Sequence, residues 1–323
     1  MSEQKKSPKK QIPFVEILKE AARIVWKNRF LVWFGLFLAL GSPGSFNMGS
    51  NNSDELGSRG EFLRNYFESH WQIATALAVL MIIIGIILLL LSLIAKAGLV
   101  KSVHLISQNK KTGFQSGWKT GKKYFGKLFQ LSVLFFLIIF VLVVVLAIPV
   151  VYLALNHSWV AAILVGVLAF AIFLPLIFVF SLTKAYSEFY IILSNLSIRS
   201  SIETGYDLLI GNLGNSIVFS LLIFAVSAAA FLVFLPVAGI SLLILFPAGL
   251  LFYYLNKIAF GAYVALAALL FLGLILFLSS IFQTYKTAAW TLFFQEIAKV
   301  EKPETAEAAE ETEKSIAAAP EKA

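Results

Sequence analysis

No cysteine occurs anywhere in the chain, which excludes disulfides, thiolate metal ligands and cysteine nucleophiles and leaves the redox compartment unreadable. Charge is scarce as well. Asp, Glu, Lys and Arg make up 14% of the 323 residues, where a soluble domain carries roughly 25%. So few charges could not cover the surfaces of the soluble domains that this length would otherwise allow. Histidine is limited to His70, His104 and His157, in three separate segments and without metal-ligand spacing. Two stretches lack charge altogether: Leu128 to Thr183, 56 residues, and Ile217 to Asn256, 40 residues. What is abundant is apolar, with 59% hydrophobic residues and a mean hydropathy of +0.85. Lipid is the solvent that such runs are built for.

A helix needs about 20 mainly apolar residues to cross a hydrocarbon core about 30 Å thick. Six spans follow, at about 24–41, 73–95, 129–155, 159–182, 217–235 and 258–282. The first is the shortest, because Gly41-Ser42-Pro43-Gly44 stops it and it must borrow Ile24, Val25 and Trp26, with Lys27 and Arg29 snorkelling. Asn156-His157-Ser158 divides the 56-residue run into a tight helical hairpin. The 40-residue run would make a helix roughly 60 Å long, about twice the core thickness. A break is therefore expected at Pro236 or Pro247, with residues 240–255 returning along the outer interface, and Pro175 is a further candidate break. A seventh span at 240–255 is the rival reading.

With six spans, 21 of the 26 basic residues fall on the side of the amino terminus and 3 on the opposite side, the other 2 lying in the distal tail. Both termini are then expected in the cytoplasm. Residues 1–12 form a basic, unstructured start, residues 13–298 the membrane domain, and residues 299–323, rich in Glu, Ala, Lys and Pro, an unstructured tail.

Three segments of similar pattern precede the odd-numbered spans. Phe14, Ile17, Leu18, Ala21 and Val25 recur at helical spacing against Glu16, Lys19, Glu20, Arg23 and Lys27. Phe114, Trp118, Gly121, Phe125 and Leu128 do the same against Lys119, Lys122, Lys123 and Lys127. In the third, Ser200-Ser201-Ile202-Glu203 reads as a capping box opening a helix through Tyr206, Leu209 and Ile210. Thr-Gly recurs at Thr120-Gly121 and Thr204-Gly205. The expected fold is all-α, a polytopic membrane helix bundle of six transmembrane helices in three hairpin repeats, with amphipathic interfacial helices on the cytoplasmic face.

This order, with FVEILKEAARIVWKNRFLVWFGLFLAL at the start and SIRSSIETGYDLLIGNLGNSIVFSLL before span five, resembles bacterial six-helix integral membrane proteins similar to the membrane domain of glycerophosphodiester phosphodiesterases. The resemblance covers about residues 12–297 and implies a fold and a location in the cell inner membrane. In those phosphodiesterases the chemistry belongs to a separate soluble barrel, so no catalytic residue is carried over.

The proposed spans contain no ionisable residue, and Ser and Thr are their main polar content. No acid, base, nucleophile or metal set emerges, so neither an enzyme nor a bound cofactor is expected. The segment from Lys96 to Lys127 has 8 basic and no acidic residues. Interleaved with Trp118 and other aromatics, Lys119, Lys122, Lys123 and Lys127 read as contacts for anionic lipid headgroups rather than for nucleic acid. The function expected is that of a membrane component organising lipids or partner proteins, the partner being another copy of the chain or a second membrane protein. A permease for an apolar or amphipathic solute is the alternative.

Overall fold

In hydrocarbon every backbone N–H and C=O must be satisfied within the chain, which leaves helices as the solution for long uncharged runs. The computed structural model describes residues 12–41 and 71–317, which are helical apart from short connections and contain no strand. The elements are α1 (Phe14–Lys27), α2 (Leu31–Gly41), α3 (Trp71–Ser107), α4 (Phe114–Leu155), α5 (Trp159–Ser194), α6 (Ile198–Gly211), α7 (Leu213–Leu255) and α8 (Lys257–Ala317). The basic start, apart from Ile12, the loop at 42–70 with His70, and residues 318–323 lie outside the described residues. Five helices are long and apolar enough to cross a membrane, and a sixth span results if α1 and α2 are counted together. The protein is an all-α, multi-pass membrane bundle.

The turns have local causes. Asn28 ends α1, donating from its backbone N–H and from Nδ2 to the Ile24 carbonyl, at 3.0 and 2.9 Å. The chain then bends by 106° into α2. Ile24 and Val25 are therefore buried parts of α1 and add nothing to the first span. Alone, the 11 residues of α2 reach about 16 Å, half the core thickness. The α4–α5 hairpin turns at Asn156-His157-Ser158, where the sequence places it, with His157 at φ 55°. Asn195, at φ 56°, ends α5. Ser197 then caps α6, its hydroxyl accepting from Ser200 N–H at 3.3 Å. The cap is thus three residues earlier than the expected box, and Glu203 pairs instead with Arg199 at 2.9 Å on the exposed side.

The expected breaks are corrected. Pro175 lies inside α5, and both Pro236 and Pro247 lie inside α7, which runs uninterrupted for 43 residues. The hairpin turns at Asn256, and the start of α8 folds back on α7: Phe252 stacks on Tyr263 with centroids 5.0 Å apart, and Tyr263 donates to the Leu245 carbonyl at 2.5 Å. Residues 240–255 therefore form neither a re-entrant segment nor a seventh span. A proline forfeits one intrahelical bond, whereas a full break in apolar surroundings would strand several carbonyls. At the other end α8 continues as helix to Ala317, through residues expected to be unstructured, in keeping with the helix propensity of Ala, Glu and Lys.

The spans also fail to stop at their first charge. α3 runs 11 residues past Lys96, α5 runs 10 past Lys184, and α4 fuses the basic segment from Phe114 directly to span three. The packed core sits on these extensions. Leu99 and Val103 of α3, Leu128 and Leu131 of α4, Tyr186 and Ile192 of α5 are buried together with Leu208 of α6, Phe219 of α7 and Phe293 and Ile297 of α8. In the most apolar stretch of each long helix, by contrast, no more than 11% of residues are buried. Those faces, including Ile82, Phe136, Val160, Leu232 and Leu269, are the ones that lipid covers.

The repeat reappears in the packing. Ile17, Ala21 and Ile24 of α1, Gly117, Gly121 and Tyr124 of α4, and Ser201, Gly205 and Leu208 of α6 are buried at identical spacing. A Cβ on Gly121 would lie 2.2 Å from the Ile94 carbonyl oxygen of α3, and one on Gly205 would lie 3.0 Å from the backbone N of Ser187 in α5. Each segment thus presses on the basic end of the even-numbered span before it. The first, α1, closes the ring by packing on α8, with Phe14 and Phe293 centroids 6.2 Å apart.

Candidate functional site

Lys96, Lys184 and Lys286 are the first charged residues after the apolar stretches of spans two, four and six. Because their helices continue into a packed core, these lysines cannot all turn to water. Glu188, one turn beyond Lys184, is 2% exposed. It accepts from the Lys96 ammonium in a close ion pair across α3 and α5, and Lys184 Nζ lies 3.9 Å from its other oxygen. Both lysine side chains remain about a third exposed, at 32% and 34%. Lys286 of α8 is near enough to Lys96 for the two ammoniums to repel. Three cations around one carboxylate leave two positive charges uncompensated where the three even-numbered spans converge.

Hydroxyl groups surround this level. Ser187 donates to the Thr183 carbonyl at 2.7 Å, and Tyr186 and Ser216 share a 2.7 Å hydrogen bond that ties α5 to α7. Thr183 Oγ1 is buried without a hydrogen-bond partner. Farther toward the basic end, α1, α3, α5, α6 and α8 enclose a recess of about 620 Å³ whose polar lining includes Glu20, His104, Ser107, Tyr190, Gln295 and Glu296. In its wall Ser107 donates to Gln295 Oε1 at 3.2 Å, and Gln295 Nε2 is buried without a partner. Among the described residues no group of His, Asp and Glu is placed to hold a metal ion.

The residues singled out by sequence are not brought into one cluster. Lys119, Lys122 and Lys123 project from α4 and are exposed, with Lys123 Nζ 5.8 Å from the Tyr124 ring centroid. Lys127 is engaged elsewhere: it donates to the Asn195 carbonyl, to Asn195 Oδ1 and to the Leu196 carbonyl at 3.2–3.3 Å, closing the C-terminus of α5. That is where a cation best meets orphan carbonyls and the negative end of a helix. Trp118 is packed among Phe34, Phe37 and Phe114, with centroids 5.3–6.4 Å away. Sequence reasoning passed over Glu188, although a signal existed. The segment after Lys184 stays apolar through Leu193, so the helix had to continue buried and carry its one acid inward.

Fold and site together define a polytopic α-helical membrane protein with a charged cluster at one end of the bundle. Searches against protein-family models, curated proteins and solved structures find no match to this chain.

Proposed function

We propose that this is a non-catalytic protein of the cell inner membrane that organises anionic lipid at its basic, cytoplasmic end, with both termini in the cytoplasm. One observation carries the reading: the chain spends its packed core on the basic end and leaves the faces of its spans to lipid. The core holds a positive surface at headgroup level. Along α4, Lys123 and Lys122 stand about 8–9 Å beyond Leu128, the first residue of the apolar run, within about one Debye length of an anionic surface. Each such lysine contributes about 1 kcal/mol of attraction. The resemblance to the membrane domain of glycerophosphodiester phosphodiesterases agrees with this fold and location and adds no catalytic group.

The test is lipid selectivity. In nanodiscs of mixed phosphatidylglycerol and phosphatidylcholine, the protein should enrich phosphatidylglycerol in its boundary lipid, and joint replacement of Lys119, Lys122 and Lys123 by Gln should reduce that enrichment about twofold or more. Equal boundary composition for both proteins would sink the reading. Orientation is tested by reporter fusions, with a cytoplasmic signal expected at Glu301 and an external one at Asn256. The recess lined by Glu20 and Glu296 favours a second reading, a permease for an amphipathic solute. That reading requires solute flux in proteoliposomes that blocking the recess abolishes.

A further inference from the structure

We infer that Lys96, Lys184 and Lys286 form a discrete binding site for the phosphate of one anionic phospholipid, whose acyl chains lie along the apolar faces of the spans directly above. The inference rests on the lipid-organising reading and gives it a specific location.

Charge is the first argument. Glu188 satisfies Lys96 and lies within reach of Lys184, but a single carboxylate cannot balance three ammoniums, and Lys286 adds repulsion against Lys96. Half-buried cations with no counter-charge are costly, so an anion at this point relieves a cost already present in the fold. Level is the second argument. The three lysines come from three different helices, yet each is the first charge after an uncharged stretch that ends at Ala95, at Thr183 and at Thr284-Tyr285. They therefore share the depth at which headgroup phosphates lie. Above them the same helices expose apolar side chains, among them Ile86 on α3, Phe178 on α5 and Leu272 on α8. A phosphate with acyl chains matches both halves of this surface, whereas a free phosphate matches only the lower half. Thr183 Oγ1, buried beside Lys184 without a partner, is an unused hydroxyl at the same depth. The exposure of Lys96 and Lys184, about a third each, leaves the ammoniums reachable.

The experiment is native mass spectrometry of the full-length protein released from neutral detergent, titrated with phosphatidylglycerol or phosphatidylcholine. One phosphatidylglycerol should be retained at least about fivefold more tightly than phosphatidylcholine, the effect of roughly one half-buried lysine contact. Lys286→Gln should abolish that preference, and Lys286→Arg should keep it. Lys286 is the lysine to change because Glu188 pairs with the other two. Glu188→Gln, which adds one net positive charge without changing shape, should strengthen phosphatidylglycerol retention. A merely structural cluster would leave lipid retention unmoved in both Lys286→Gln and Glu188→Gln, and that result overturns the inference. Equal retention of the two lipids overturns it too, as does displacement of bound phosphatidylglycerol by millimolar inorganic phosphate, which would assign the site to the free anion. The replacement of Lys119, Lys122 and Lys123 separates the two ideas. Loss of boundary enrichment in that variant, with no effect of Lys286→Gln, leaves the general reading standing and removes this site. The reverse pattern keeps the site and removes the general reading.

Discussion

The closest approach in the repeat offers a test with a worked magnitude. Alanine at position 121 would place its Cβ 2.2 Å from the Ile94 carbonyl oxygen, 2.9 Å from Ile94 Cγ2 and 3.0 Å from its carbonyl carbon. Backbone cannot swing aside as a side-chain tip can, so α3 and α4 must separate by about 1 Å, loosening a core that includes Leu99 and Leu128. Overpacking of this kind costs about 1–3 kcal/mol, offset by about 0.5–1 kcal/mol from replacing glycine within a helix. Gly205 is the milder case: its added Cβ would meet Ser187 N and Oγ at 3.0 Å, where a few tenths of an ångström suffice, so Gly205→Ala should be close to neutral. Gly126 has nothing within 4 Å, and Gly126→Ala should gain the propensity term alone. The expected order of thermal stability is Gly126→Ala above Gly205→Ala above Gly121→Ala, with a few degrees between the extremes. Melting in a single detergent, followed by far-UV circular dichroism at a fixed scan rate, reads that order without requiring reversibility. Equal melting of Gly121→Ala and Gly126→Ala would refute the close-packed repeat.

Three further outcomes follow from the charges and caps. Glu188→Ala should destabilise by about 3 kcal/mol or somewhat less, since Lys96 and Lys184 keep partial access to water, while the double change Lys96→Met with Glu188→Met should recover much of that loss; additive losses in a melting cycle would argue against the pair. Lys127→Met should cost about 1–2 kcal/mol through the carbonyls it leaves at the end of α5, whereas Lys122→Met should cost almost nothing, and equal effects would place both on the solvated face. Ser197→Ala should lower the melting temperature by the equivalent of about 1 kcal/mol and Ser200→Ala by clearly less; the reverse order would restore the box that the sequence suggests.

Much of this fold was legible because its determinants are local. A run from Leu128 to Thr183 without a charge has to be helix in lipid, and Asn156-His157-Ser158 supplies the polar turn that folds it in two. The repeat was legible as an order of segments, and Thr-Gly at 120–121 and 204–205 pointed to it before any reason for the glycine was visible; the reason is the backbone of the neighbouring span. The charged cluster was less accessible. Lys96 and Glu188 are 92 residues apart, and nothing near either one names the other. Length arithmetic also misled at Pro236 and Pro247. It required a helix to end where the hydrocarbon ends, whereas α7 goes on for 43 residues. Lys127 and Trp118 looked like members of the basic, aromatic face of their helix, but helical position alone does not tell which lysine lies beside the open end of α5 or which tryptophan meets Phe34.

The position of the core explains these successes and failures together. Between helices in lipid there is no hydrophobic drive to associate, because tails are as apolar as the side chains they would replace. Water supplies that drive only beyond the membrane. A chain that extends its spans past the hydrocarbon can therefore set its specific packing in the aqueous layer, with α1, the start of α4 and α6 as wedges between the span ends. The spans are then held from one end, and their lipid-facing stretches need only be apolar and long, which is why sequence reads them easily. The selective contacts fall where polarity returns, and there the pattern of one helix says little without its neighbours. The same geometry explains why the three lysines meet: even-numbered spans gathered at one level bring their first charges to that level too, and Glu188 offsets only part of what gathers there.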